Sequence, residues 1–406
     1  MNNRRERRKM KTQGICCGRR GCMKIIGLTF LFGFAAAQTV LASPEFAYPP
    51  EKWASLRDDV LEYEELADLI HEYNAEVINS RLEYDDYRGK SNDDFRNTYS
   101  EMADRLEDSS DRMMDGINED EPGYGAAEAS AMSIRLQAEQ ARDQADMENE
   151  DGRVKKLEYD RQEALLIQKA QGLMIEYWKK EKERPVLEGT LQQAEAEVQT
   201  ARRKAALGML SQPELLEAEA AVCTAQAAEA SGKTKQEELR RQLIVMTGWQ
   251  YDDMPRLGEI SIPEEALPEK TDPESDRTQA LAANFSLAAD RRRLENTDPG
   301  TAKDVLNQKV EAGQQKIEAD IEVKYNSLMQ AQADYGQAKE EYCLAEEKLE
   351  ADERRYQLGL LSANDRMAAQ AELSSKKAAW EVSGLSFRQA YEDYHWAVEG
   401  LAAYEG

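Results

Sequence analysis

Histidine is nearly missing from this chain. Among 406 residues there are two, His71 and His395, far apart and in no metal-binding spacing such as H-E-x-x-H. That leaves little for general acid–base catalysis by imidazole. Cysteine is scarce too: of five, Cys16, Cys17 and Cys22 crowd the N-terminus, and Cys223 and Cys343 stand alone, with no C-x-x-C and no disulfide framework. The two isolated cysteines read as small residues filling helix-packing positions. Aromatic residues are scarce, at 7%. No phosphate loop is present: Ser231-Gly232-Lys233-Thr234 has Ala227 where the first glycine belongs and no strand before it. Asn118–Gly123 fails as a calcium loop, with proline at a ligand place and no correctly spaced glutamate. The expectation is a non-enzyme without metal, cofactor or catalytic residue.

Long apolar runs are also lacking. The longest, Ile25–Ala37, has 13 residues, too short for a comfortable membrane span. It follows a cluster of nine basic residues between Arg4 and Lys24 and precedes Val40-Leu41-Ala42. Residues 1–42 therefore read as a secretory signal peptide, with Met1 or Met23 as start; an uncleaved membrane anchor is the alternative. No cysteine follows the cleavage site directly, so a lipid-anchor signature is missing. Removing 1–42, nine basic residues against one acidic, takes the net charge from −26 to −34. So acidic a chain has no footprint for nucleic acid.

What is abundant is Ala, Glu, Gln, Lys, Arg and Leu after residue 125, the composition of long helices and coiled coils. A first repeat is read over 43–250, with a polar, acidic insertion near 83–125 that ends in a loop at 118–125. Helix is expected over 54–82, from 126 to 207 with a kink at Pro185, and from 212 to 247. A Pro/Gly-containing linker spans 251–275. A second repeat covers 276–402, with helix over 276–295, 302–358 and 363–400. Ile321, Leu328, Ala331, Tyr335, Ala338, Tyr342, Ala345, Leu349 and Tyr356 form a heptad seam. On the return helix, Met367, Ala371, Ala378, Val382 and Leu385 are placed on one side.

The strongest signal is a duplicated apex. Arg203–Ser211 reads RKAALGMLS and Arg354–Ser362 reads RRYQLGLLS, 151 positions apart without a gap. Gly208 and Gly359 can close a helix in the left-handed region, and Ser211 and Ser362 stand as N-caps of the next. Each apex exposes apolar side chains, Met209 and Leu210 in one, Leu360 and Leu361 in the other. The fold is therefore read as all-α, two tandem long antiparallel helical hairpins of coiled-coil type. A hairpin about 85 Å long cannot shield its apolar faces alone, so it packs on its twin and on other subunits.

Two R-x-x-x-x-G tips, each followed by an Ala-rich helix, combine with helices opening on Tyr73-Asn74-Ala75-Glu76-Val77 and Ala283-Asn284-Phe285-Ser286-Leu287. In these features the chain resembles the TolC-like outer-membrane efflux proteins, over roughly 54–82 and 126–402. The resemblance implies an α-barrel protomer, a homotrimer with a twelve-helix tube, and partners in a membrane-fusion adaptor and an inner-membrane pump. It assigns adaptor docking to Gly208, Met209, Leu210 and Ser211 and to Gly359, Leu360, Leu361 and Ser362. It places the protein in the cell envelope, at the outer membrane in family members with barrel strands. Here neither 83–125 nor 296–310 shows the alternation of an amphipathic strand, so a protomer without the β-barrel is expected. The competing reading is an exported coiled-coil spacer with no transport role.

Overall fold

The computed structural model describes residues 48–405 other than 57, 116, 117, 119 and 264–270. The segment 1–42, read from sequence as a signal peptide, and both candidate starts lie outside the described residues. What is described is almost entirely helix.

Helix α1 (Pro50–Ser55) begins on a proline, tolerated in a first turn that needs no N–H partner. A two-residue strand β1 (Val60–Leu61) follows, then a 3₁₀ turn and α2 (Leu66–Tyr73), whose Leu66, Leu69 and Ile70 are buried. Asn74 ends α2 in extended conformation and caps α3 (Ala75–Tyr87), accepting from the Glu76 and Val77 N–H groups at 2.9 and 3.3 Å.

The acidic segment holds a helix that was not expected, α4 (Asn92–Met114), which packs on α5 (Tyr124–Met147); residues 118–123, in the expected loop, are non-helical where described. Their seam is alanine. Ala103, Ala131, Ala138, Ala141 and Ala145 are buried, and Ser110 Oγ donates to the Ala131 carbonyl at 3.0 Å. A search for large apolar residues at helical spacing passes over such a seam, because alanine buries little area yet lets backbones approach closely. The continuous helix expected from 126 is also broken. Residues 148–151 turn the chain, and Asp151 caps the next helix by accepting from Arg153 and Val154 N–H.

That helix, α6 (Gly152–Ala206), has 55 residues, about 82 Å at 1.5 Å each. It passes through Pro185 without leaving helical geometry. It is followed by α7 (Gln212–Met246), then β2 (Arg256–Leu257), which pairs parallel with β1. The second repeat comprises α8 (Pro273–Ala283), α9 (Phe285–Asn296), α10 (Thr301–Gln357) and α11 (Ala363–Trp396), closed by a π-helical turn Ala397–Leu401. Among the described residues the strands are these two-residue pieces, and no helix is long and apolar enough to cross a membrane.

The four long rods lie side by side in the order α7, α6, α11, α10. Each repeat has its own core at the end remote from the apices. Leu66, Ile70, Met174, Ile175 and Leu243 fill the first; Leu287, Ile317, Ile321, Leu328 and Phe387 fill the second. Nearer the apices the seams thin to Ala194, Val198, Ala201 and Ala225, and to Ala345, Ala369 and Ala378. Burying a Leu or Phe contributes about 1.5–3 kcal/mol, and an alanine offers far less area. The rods are thus held mainly at the base. The heptad seam from Ile321 to Tyr356 is buried or half-buried throughout. On the return rod, Met367 and Ala371 are exposed instead of inward; Ala369, Ala378 and Leu385 carry the seam. The isolated cysteines are corrected as well. Cys223 and Cys343 are both exposed, because each lies on the side of its rod away from the intrachain seam.

Candidate functional site: two apices and a charged clamp

Both apices end their first rod the same way. Gly208 and Gly359 each adopt φ +72°. Gly208 N–H reaches the Ala205 carbonyl and Met209 N–H reaches Lys204, both at 2.9 Å; Gly359 and Leu360 repeat this on Tyr356 and Arg355 at 2.9 Å. This is the Schellman closure, which normally places the residue after the glycine on an apolar side chain one turn back. Here that turn holds Lys204 and Arg355, so the apolar residue has nothing to cover it. Met209 is 71% and Leu360 69% exposed, with Leu207 and Leu358 at 73% and 74%.

The next helices are capped by serine. Ser211 N–H and Oγ donate to the Glu214 carboxylate at 2.8 and 2.6 Å, and that hydroxyl, then the N–H, holds the Glu214 pKa below its ordinary value. Ser362 Oγ donates to Asp365 at 2.7 Å and accepts the Asp365 N–H at 3.2 Å.

Of the residues singled out in the sequence, Gly208, Met209, Ser211, Gly359, Leu360 and Ser362 are exposed at the apices, whereas Leu210 and Leu361 are half-buried. The sequence reading missed Leu207 and Leu358. The signal was present, since both belong to the repeated L-G-x-L-S, but they read as the last helical residues.

Contacts between α6 and α11 set the two apices level. Gln171 Oε1 accepts from Trp396 Nε1 at 2.6 Å, and Lys179 Nζ donates to Gln389 at 2.6 Å. Gln171 precedes Gly208 by 37 residues and Trp396 follows Gly359 by 37; for Lys179 and Gln389 the distances are 29 and 30. Both tips therefore point to one end, at matching height.

At the other end the repeats are locked by charge. The buried Asp151 carboxylate accepts from Arg292 Nε at 2.6 Å and Asn296 Nδ2 at 3.1 Å. Arg293 donates to Glu150 and to buried Asp290, both at 2.8 Å, and also to Glu158. Lys309 meets Asp290 at 2.9 Å, and Tyr404 Oη donates to Asp290 at 2.8 Å. Burial opposes the charged form of Asp290, yet Lys309, Arg293 and Tyr404 outweigh it and hold its pKa low. Ring carbons of Tyr404 occupy the place where a Cβ on Gly313 would stand. A cavity of about 270 Å³ opens beside this cluster; Glu158, Asp290, Arg293 and Glu405 on its wall already pair with charged partners, which reads as a clamp and not as a ligand site. Among the described residues no group of His, Cys, Asp and Glu is arranged to hold a metal.

No protein-family model matches the sequence, and no curated protein matches it. Solved structures do match in shape. The CmeC outer membrane channel of Campylobacter jejuni aligns over 95% of both chains at 9% identity, with a TM-score of 0.50. The outer membrane protein VceC of Vibrio cholerae aligns over 83% of this chain and 96% of its own, at 11% identity and a TM-score of 0.47. The MtrE outer membrane channel of Neisseria gonorrhoeae aligns over 83% and 89%, at 14% identity and 0.39. The protein has the all-α, TolC-like fold, a conclusion that rests on the duplicated hairpins and on the CmeC alignment.

Proposed function

We propose that this protein is an exported helical channel component of a tripartite-type efflux or secretion system. Three copies close into a tube of twelve rods. The apices dock a membrane-fusion adaptor that connects the tube to an inner-membrane pump. The single observation that carries this reading is the pair of level apices, each with uncovered apolar side chains on a rigidly capped turn. Exposed apolar side chains grouped on the end turn of both hairpins suit a docking surface.

The signal peptide supports export to the cell envelope. The absence of barrel-length strands among the described residues supports a duct that joins its envelope without the strand insertions of outer-membrane-spanning relatives. The domain scheme of two repeats, 43–250 and 276–402 about a linker, belongs to the same proposal.

Native mass measurement and adaptor binding test it together. Leu207→Glu with Leu358→Glu, at exposed positions, is expected to abolish adaptor binding while helix content and native trimer mass stay unchanged. Undiminished binding removes the docking role. A native monomer or dimer favours the coiled-coil spacer instead.

A further inference from the structure

The two rods with no intrachain neighbour on one flank are α7 and α10. Exposed large apolar residues on the rods, away from the apices, concentrate there: Leu216 and Val245 on α7, and Val305, Val323 and Leu344 on α10, against Leu165 on α6 and Met367 on α11. When identical copies close a ring, α10 of one protomer must meet α7 of the next. By the internal repeat that contact has a template already visible inside the chain. The 151-residue offset relates α6 to α10 and α7 to α11, so the α10–α7 boundary between protomers continues the α6–α11 contact within one.

The template fixes a register. Gln171 meets Trp396, and Lys182 approaches Glu381 at 3.9 Å. Three heptads from Gln171 toward the apex is Gln192; the same step along the antiparallel partner reaches residue 375, one from Ser374. Ser374 is also one heptad from Glu381. Adding the offset to Gln192 gives Cys343, and subtracting it from Ser374 gives Cys223. The two mature-chain cysteines thus lie within about one helical turn of each other in height on the inter-protomer rod pair. Their heights agree independently: Cys223 follows Gly208 by 15 residues and Cys343 precedes Gly359 by 16, about 22 and 24 Å from the apices. Both are exposed free thiols. Ala220 and Ala227 flank Cys223 on its stripe, so the rods can approach to the near end of the usual spacing of about 8–10 Å. Facing Cα atoms then come within reach of the roughly 4.4–6.8 Å that a bridge requires.

We infer that Cys223 of each protomer forms a disulfide with the partner's Cys343, three bridges stapling the tube below its adaptor end. This rests on the trimeric-duct reading and on export to an oxidising compartment. The chemistry is thiol–disulfide exchange with a disulfide-bearing oxidant. The two thiols lose two protons and two electrons and form one S–S bond, and the oxidant disulfide is reduced to two thiols.

The test uses the purified mature chain treated with oxidised glutathione. Non-reducing electrophoresis is expected to show covalent dimer and trimer, and peptide mass spectrometry a Cys223–Cys343 linkage. Cys223→Ser and Cys343→Ser should each abolish the covalent species while native mass and helix content stay those of the trimer. A native trimer that forms no Cys223–Cys343 link, or forms it only within a monomer, overturns the bridge and leaves the duct intact. A native monomer overturns the duct, and the bridge with it.

Discussion

Asn74 and Asn284 do the same two things. Each accepts backbone N–H bonds at the start of a helix, and each donates its side-chain amide at 2.9 Å to a carbonyl where its repeat's return rod ends, Met246 for Asn74 and Ala402 for Asn284. Beside each acceptor a glycine turns at positive φ, Gly248 at +83° and Gly400 at +127°. The asparagines are 210 positions apart while the apical glycines are 151 apart, so the first repeat carries 59 additional residues between asparagine and apex. The α4–α5 hairpin accounts for nearly all of them; its counterpart in the second repeat is the short turn Thr297–Gly300.

Replacing Asn284 by alanine removes a cap, worth about 0.5–2 kcal/mol, and strands a buried carbonyl at a cost of about 1–3 kcal/mol. Thermal or denaturant unfolding of Asn284→Ala should register a loss of about 2–4 kcal/mol, with Asn74→Ala close behind. A loss no greater than for an exposed asparagine such as Asn364 would count against the double role.

At the apices the cost is backbone strain alone, since a Cβ on Gly208 or Gly359 would meet no atom within 4 Å. Gly208→Ala and Gly359→Ala should each cost about 1–2 kcal/mol, and asparagine at either place clearly less. The two turns share no hydrogen-bond partner, so the double variant should lose the sum of the two. Chemical denaturation of the three variants checks both points.

The clamp should be the most sensitive polar site. Arg293→Ala takes one cation from Asp290 and one from Glu150, leaving them Lys309 and Lys155, and removing one partner of a largely buried pair in this way costs up to about 3–5 kcal/mol. Asp290→Asn with Arg293→Met, which removes both charges, should recover much of that loss. Unfolding midpoints of the single and double variants decide it.

His71 predicts a modest pH dependence. Its Nδ1 lies 2.6 Å from Glu163 Oε1, and that hydrogen bond chiefly raises its pKa. A folded pKa above the unfolded value, about 6.5, means stabilisation fully present below pH 6.5 and lost as pH rises through the folded value. The side chain is partly exposed, so the effect is small. The midpoint difference between wild type and His71→Gln should therefore shrink from pH 6 to pH 8. A difference independent of pH over that interval would refute the coupling.

The apices, the rods and the asparagine segments were legible because each depends on chemistry within a few residues: a glycine at positive φ, a serine one turn before an acid, an asparagine ahead of two N–H groups. Helix α4 and its pairing with α5 were not, because alanine at heptad spacing signals burial weakly when a reader looks for leucine and isoleucine. Cys223 and Cys343 were misplaced for a related reason. A small residue on a helix reads as packed, and which side of the rod it occupies depends on the seam chosen by the neighbouring rod. Leu207 and Leu358 were hidden by their helical setting until the Schellman turn showed nothing beneath them.

By itself the sequence determined a duplicated pair of long hairpins with defined reversal points, since turn and cap preferences are local and strong enough to act without tertiary support. The tertiary structure alone decided the lateral order α7, α6, α11, α10, the level apices and the clamp joining Asp151, Asp290, Arg292 and Arg293. Those features depend on which faces pair across 100 or more residues, where many weak contacts are summed and no short motif specifies the outcome.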